Sequence, residues 1–151
     1  MNPVKYEQAL QRLAAYCSRG ERCAYDVRRK MTDWELSEQE QKKIIQHLQR
    51  ENFLNEKRYC QAFVHDKSQY NRWGAHKIRY ELKKKQIPDS LIREAVSEID
   101  TDVSREQLCQ LLAHKRKTVK GANEYEINQK LMRFAAGKGF SIEDIEAALS
   151  L

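Results

Sequence analysis

Three apolar triplets recur along this 151-residue chain with one internal spacing: Val27, Met31 and Leu36, then Ile78, Leu82 and Ile87, then Leu131, Ala135 and Phe140. In each, two residues four apart share one face of a helix, and the third, five further on, closes the turn that follows. The next helix repeats too, with Ile44, Ile45 and Leu48 matched by Ala95, Val96 and Ile99 and then by Ala148 and Leu149. Copies at a period of roughly fifty residues mark a tandem array, in which a small unit is repeated and each copy leans on its neighbours.

The composition suits helices. Glu, Gln, Lys, Arg, Leu and Ala dominate, with only five Gly and two Pro, and these are the residues that lose least freedom in a helix. No segment alternates with period two, so no sheet is expected. The units read as 1–52, 53–100 and 101–151, each of three helices: 5–18, 23–33 and 38–51; 55–70, 73–86 and 88–99; 102–118, 123–137 and 141–150. Ser37 with Glu40 spells a capping box, while Ser141 with Asp144, and Pro88 followed by Asp89 and Ser90, mark further helix starts. Gly20, Gly121 and Gly139 stand where helices end or turn, Gly139 in a left-handed cap. The fold expected is all-α, an elongated and curved array of three three-helix repeats.

Several function classes fall away. No stretch approaches the roughly 20 apolar residues of a membrane span, and Met1-Asn2-Pro3 opens no signal-like segment, so a cytoplasmic protein is expected. Cys17, Cys23, Cys60 and Cys109 lie at wide, unpatterned intervals, which reads as reduced, buried thiols and not as disulfides or a metal site. His47, His65, His76 and His114 stand far apart, and Gly137-Lys138-Gly139 lacks the strand and the further glycines of a nucleotide loop. With no nucleophile and base, no carboxylate pair and no metal cluster at a usable spacing, no enzyme and no cofactor are expected.

What remains is charge. The chain carries 28 basic and 22 acidic residues, a net +6, and the excess is clustered. From Lys67 to Lys85, seven basic residues face one acid, Glu81. On a helical projection Ile78, Leu82 and Ala75 form the buried stripe, and His76, Arg79, Lys83 and Tyr80 lie outward, continued by Lys77, Lys84 and Trp73. Arg72 precedes them. Such a mixture of cations and rings suits phosphates and stacked bases, or the carboxylates of a protein partner. Arg28, Arg29 and Lys30 form a smaller patch on the equivalent helix of the first unit, and Lys115, Arg116 and Lys117 another in the third. Trp73-Gly74 suggests close approach by a partner, and Trp34 suggests packing.

The residues also carry a family resemblance. Phe53-Leu54-Asn55-Glu56-Lys57-Arg58-Tyr59 followed by Ala62-Phe63-Val64, and then Trp73-Gly74-Ala75-His76-Lys77-Ile78-Arg79-Tyr80-Glu81-Leu82-Lys83-Lys84-Lys85-Gln86-Ile87, resemble the RecX regulatory proteins, whose signature there is Gly-x-x-Lys-Ile-x-x-x-Leu-x-x-Lys-Gly-Ile. Gln86 departs from it, standing where the family has glycine. Ala135-Ala136-Gly137-Lys138-Gly139-Phe140 departs too, with small residues in place of bulkier ones, while Arg133-Phe134 and Gly139-Phe140-Ser141 keep the pattern. The resemblance covers nearly the whole chain. It implies a tandem three-helix repeat protein that binds the RecA filament on single-stranded DNA along its groove and hinders strand exchange, ATP hydrolysis and LexA cleavage. Beside it, a monomer with weak direct binding to single- or double-stranded DNA is expected.

Two other readings stand beside it. The units could be helix-turn-helix-like DNA readers with residues 73–86 as recognition helix, although that helix has no Asn and a single Arg, and lysine faces carry little base information. A passive helical scaffold is the other.

Overall fold

The computed structural model describes residues 5–150; Met1-Asn2-Pro3 and the outer ends of the first and third units lie outside them. Among the described residues there are nine helices and no strand. They are α1 Tyr6–Ser18, α2 Ala24–Asp33, α3 Glu38–Arg50, α4 Glu56–Gln69, α5 Ala75–Lys84, α6 Asp89–Ser97, α7 Thr101–Arg116, α8 Glu124–Gly137 and α9 Ile142–Leu149. All bounds fall within two residues of those expected. The two-residue delay at the front of α5 has a cause: Gly74 is extended (φ −80, ψ 169), and its N–H is held by the carbonyl of Lys138, so Trp73 and Gly74 stay outside the helix.

The repeated triplets are core. Val27, Met31, Ile78, Leu82, Leu131 and Ala135 are fully buried, and Leu36, Ile87 and Phe140 nearly so. They belong to three separate apolar clusters, one per set of three helices. Each second helix ends in the same way. The residue before the closing apolar side chain (Glu35, Gln86 or Gly139) has a positive φ, and its N–H and the next one reach back to the last turn. For α5 these bonds are Gln86 N–H to Lys83 O (2.9 Å) and Ile87 N–H to Leu82 O (3.4 Å), the paired bonds of a Schellman cap. The cap thus swings Leu36, Ile87 or Phe140 under its own helix.

N-terminal signals hold where they were read. Ser37 and Glu40 exchange both capping-box bonds, and Ser141 Oγ accepts from Asp144 N–H at 3.1 Å. Asn55, Asp100 and Asn123 cap α4, α7 and α8 in addition. Trp34 is half-buried against the first cluster with Arg12 5.7 Å over its ring. Of the four free thiols, three are buried, but Cys109 is only half-buried.

The units are not sealed from one another. Cys23, from the first set of helices, is wholly buried in the second cluster beside Tyr59 and Cys60. Burial pushes the Cys23 and Cys60 thiols up to about 11, so both stay protonated and unreactive at neutral pH. The total surface is 9998 Å², against roughly 8,000 Å² for a compact monomer of this size, as expected of segmented cores in series.

Candidate partner-binding surface

Both joints between units use the same two places: the N-terminus of one unit's second helix and the C-cap of the next unit's second helix. At the first joint these are Cys23 to Asp26 on α2 and Lys85 at the end of α5. Lys85 Nζ donates to Asp26 Oδ1 at 2.6 Å, and Arg58 pairs with Glu21 beside it. The Glu56 carboxyl lies against the Ala24 N–H; burial raises its pKa above the ordinary value, with the Ala24 N–H and then Arg28 partly offsetting the shift.

The second joint is built from backbone. Gly74 N–H donates to Lys138 O at 2.7 Å and His76 N–H to Gly139 O at 3.0 Å, so the open end of α8 is met by the open end of α5. A Cβ at Gly74 would lie 2.4 Å from Gly139 O, and one at Gly139 would lie 2.4 Å from the Cβ of Lys77. The close approach at Trp73-Gly74 is therefore made by this chain's own third unit. It also accounts for the glycine at 139 in a segment where the third unit departs from the family pattern.

The basic patches prove to be built on rings. Trp73 is half-buried, edge-on to Phe63 at 6.3 Å, with Lys77 Nζ 4.5 Å and Lys67 Nζ 5.0 Å from its centroid. Phe134 carries Lys115 at 4.8 Å and Lys138 at 5.9 Å. In the first unit Lys30 (4.6 Å) and Arg22 (4.1 Å) lie over Tyr16. Arg29 (6.0 Å) shares Tyr25 with Lys85 (5.4 Å), which ties the α2 patch to the end of α5. A ring face attracts a cation without neutralising its charge, so these lysines and arginines are oriented and still positive.

Other residues of the expected set are held differently. Lys84 Nζ is 3.1 Å from Glu81 and 5.0 Å over Tyr80, and Lys83 is 4.0 Å from Asp89. Arg116 is engaged by Glu124 (3.1 Å) and Asn128 (3.0 Å). Arg28, Arg72 and Lys117 are exposed, Arg72 with φ 55 in the turn before α5. Arg79 is half-buried, and its guanidinium meets only His76 Nδ1, at 3.2 Å, among the described residues. Both line a cleft of about 390 Å³ between the second and third units, together with Trp73, Ser104, Arg105 and Asp144. Reading the sequence missed Lys67 and Lys138 as partners of Trp73 and Phe134, and Tyr25 as a partner of Lys85. The last pair is sixty positions apart, beyond the reach of any helical periodicity.

Comparison with known proteins places this architecture. The model of the second three-helix domain of RecX matches residues 55–96, and that of the third three-helix domain of RecX matches residues 104–149. The regulatory protein RecX of Haemophilus ducreyi is 30% identical over 127 residues, which are 84% of this chain and 81% of that protein. The one from Prosthecochloris aestuarii is 27% identical over 99% of this chain and 96% of its own length. The one from Clostridium botulinum (strain Eklund 17B / Type B) is 34% identical over 69% of this chain, and the chain spans about half (49%) of that relative. Among solved structures, a crystal structure of regulatory protein RecX superposes with a TM-score of 0.89 at 22% identity, covering 97% of this chain and 73% of that one. RecX from Lactobacillus salivarius does so at 0.84 and 20% identity, covering 96% and 94%. Those two show the shared fold, and the sequence matches across both later units show that the chain belongs to the RecX family of regulatory proteins.

Proposed function

We propose that this protein binds the RecA filament assembled on single-stranded DNA and restrains its strand exchange, ATP hydrolysis and coprotease activity. It acts as a monomeric, non-enzymatic modulator in the cytoplasm, without a cofactor, and its units 1–52, 53–100 and 101–151 serve as successive contact modules. The observation that carries the reading is the set of ring-held cations on α2, α5 and α8, tied together at the two joints. A modulator needs no chemistry of its own, because preferential binding to one filament state shifts that state's population.

The helix-turn-helix alternative is disfavoured by the second joint. A recognition helix reads bases with its N-terminal residues, and here the first turn of α5 is pressed against Lys138 and Gly139.

Co-sedimentation tests the proposal. The protein is pelleted with RecA on single-stranded DNA, with bare DNA and free RecA as controls across a salt series, and RecA's ATPase is followed. Preferential pelleting with the filament and a falling ATPase rate are expected, and replacement of Lys77, Arg79, Lys83 and Lys84 together by Glu should abolish both. Equal binding to bare DNA with no dependence on RecA would overturn the proposal in favour of a DNA-binding protein. Undiminished filament binding by the fourfold variant would point to a passive scaffold.

A further inference from the structure

The two joints are built at equivalent positions but differ in charge. Asp26 immediately precedes Val27 on α2, and Lys77 immediately precedes Ile78 on α5; Lys85 stands two residues before Ile87, and Lys138 two before Phe140. The first joint therefore pairs an acid with a base, Asp26 with Lys85 at 2.6 Å. At the second joint both places hold lysine. The Gly74–Gly139 contact brings these lysines' backbones together, since a Cβ on Gly139 would touch the Cβ of Lys77. Both are half-buried, each lies over a ring, and among the described residues neither has a carboxylate within 4.0 Å. Lys67, over the same tryptophan, adds a third ammonium.

Two lysines rooted at one packed joint with no carboxylate against either leave its positive charge uncompensated, and their rings supply only part of what a carboxylate would. From this we infer that Lys77 and Lys138 form a carboxylate-binding site that an acidic side chain of a protein partner occupies, supplying from outside the carboxylate that Asp26 supplies within the chain at the first joint. The internal pair argues for a carboxylate over a phosphate, because the lysine at the equivalent C-cap one unit earlier, Lys85, already takes an aspartate as its partner. The inference names the contact chemistry of the proposed partner surface and rests on that surface facing a protein; its test is arranged to separate the two.

The test is titration of isotope-labelled full chain with acetyl-Asp-Asp-Asp-Asp-amide, followed by amide chemical shifts, with oligothymidylate of equal charge in parallel. The peptide should shift Gly74 to Lys77 and Lys138 to Gly139 first and most. Lys77→Asp, and independently Lys138→Asp, should weaken this response at least about tenfold, as expected of a lost charge-assisted contact, and raise the melting temperature, because each rebuilds the Asp–Lys pair of the first joint. Lys43→Asp, on the exposed side of α3, should change neither. Shifts spread evenly over the basic residues, an unaltered response in both aspartate variants, or tighter binding of oligothymidylate at the joint would each overturn the inference. The RecA-filament assay is read separately. Pelleting with filaments while the peptide ignores the joint removes this inference and leaves the proposed function standing, and the reverse result does the opposite.

Discussion

Glu35, Gln86 and Gly139 occupy one place in three copies of a cap, and only one of them is glycine. A non-glycine residue in the left-handed region carries a steric cost of about 1–2 kcal/mol, of which glycine's extra freedom in the unfolded chain returns about 0.5–1 kcal/mol. Gln86→Gly should therefore stabilise the protein by roughly 0.5–1 kcal/mol, seen as a higher urea midpoint with an unchanged slope. A lower midpoint would mean that the glutamine side chain makes a contact worth more than its strain. The converse holds at the second joint, where Gly74 and Gly139 are both required by contact and Gly139 also by its φ of 100. Gly74→Ala would place a methyl group against the Gly139 carbonyl, and overpacking of this kind costs about 1–3 kcal/mol. The expected loss should appear in thermal melts together with faster amide exchange at His76, whose N–H bonds to Gly139 O.

At the scale of the element, α2 and α5 both begin without a side-chain cap of their own and are completed by the following unit. For α5 the completion is by carbonyls, which do not titrate. For α2 it is by Glu56, whose carboxyl is raised by burial. A carboxyl with a folded pKa above its unfolded value contributes stability that is present below the unfolded value and lost as pH rises through the folded one. Glu56→Gln keeps an acceptor facing Ala24 and removes that titration. The variant should match or exceed the parent at pH 7 and lose this advantage near pH 4, measured by urea melts at both pH values; a variant weaker at pH 7 and equal at pH 4 would mean the ionised carboxylate is needed. Lys85 carries a shift of the same sign at the alkaline end. Its hydrogen bond to Asp26 holds its pKa above the ordinary lysine value, so the stability it contributes is present below the ordinary lysine value and is lost as pH rises through the raised one.

Across the whole molecule, three small clusters in series are coupled by two joints of different character, one of side-chain ion pairs and one of backbone hydrogen bonds. Salt screens the first more than the second. Asp26→Asn should lower amide protection around Glu21 to Asp26 and around Arg58 and Tyr59, and leave Gly74 and His76 as they are. Loss of protection along the entire chain would instead mean that the units unfold as one body. The same separation allows a surface to be spread over three units while each joint keeps its own geometry, which suits a long partner better than a compact one.

The repeated triplets, the helix-favouring composition and the cap at Ser37 were enough to define nine helices and an all-α repeat, because each rests on interactions within a few residues: helical periodicity, a turn, a local hydrogen bond. The candidate surface was legible as clusters of charge for the same reason, since Lys77, Arg79, Lys83 and Lys84 share one helix. What lay beyond the sequence was every partnership between units. That Cys23 is buried in the second core, that Lys85 is held by Asp26 and Tyr25, and that Gly74 exists for Gly139 and not for a partner all depend on how the units stack. Stacking is set by long-range packing, for which one-dimensional spacing holds no record, so the sequence by itself determined the units and their charge, and the tertiary structure decided which charges are already spent within the fold and which remain free to bind.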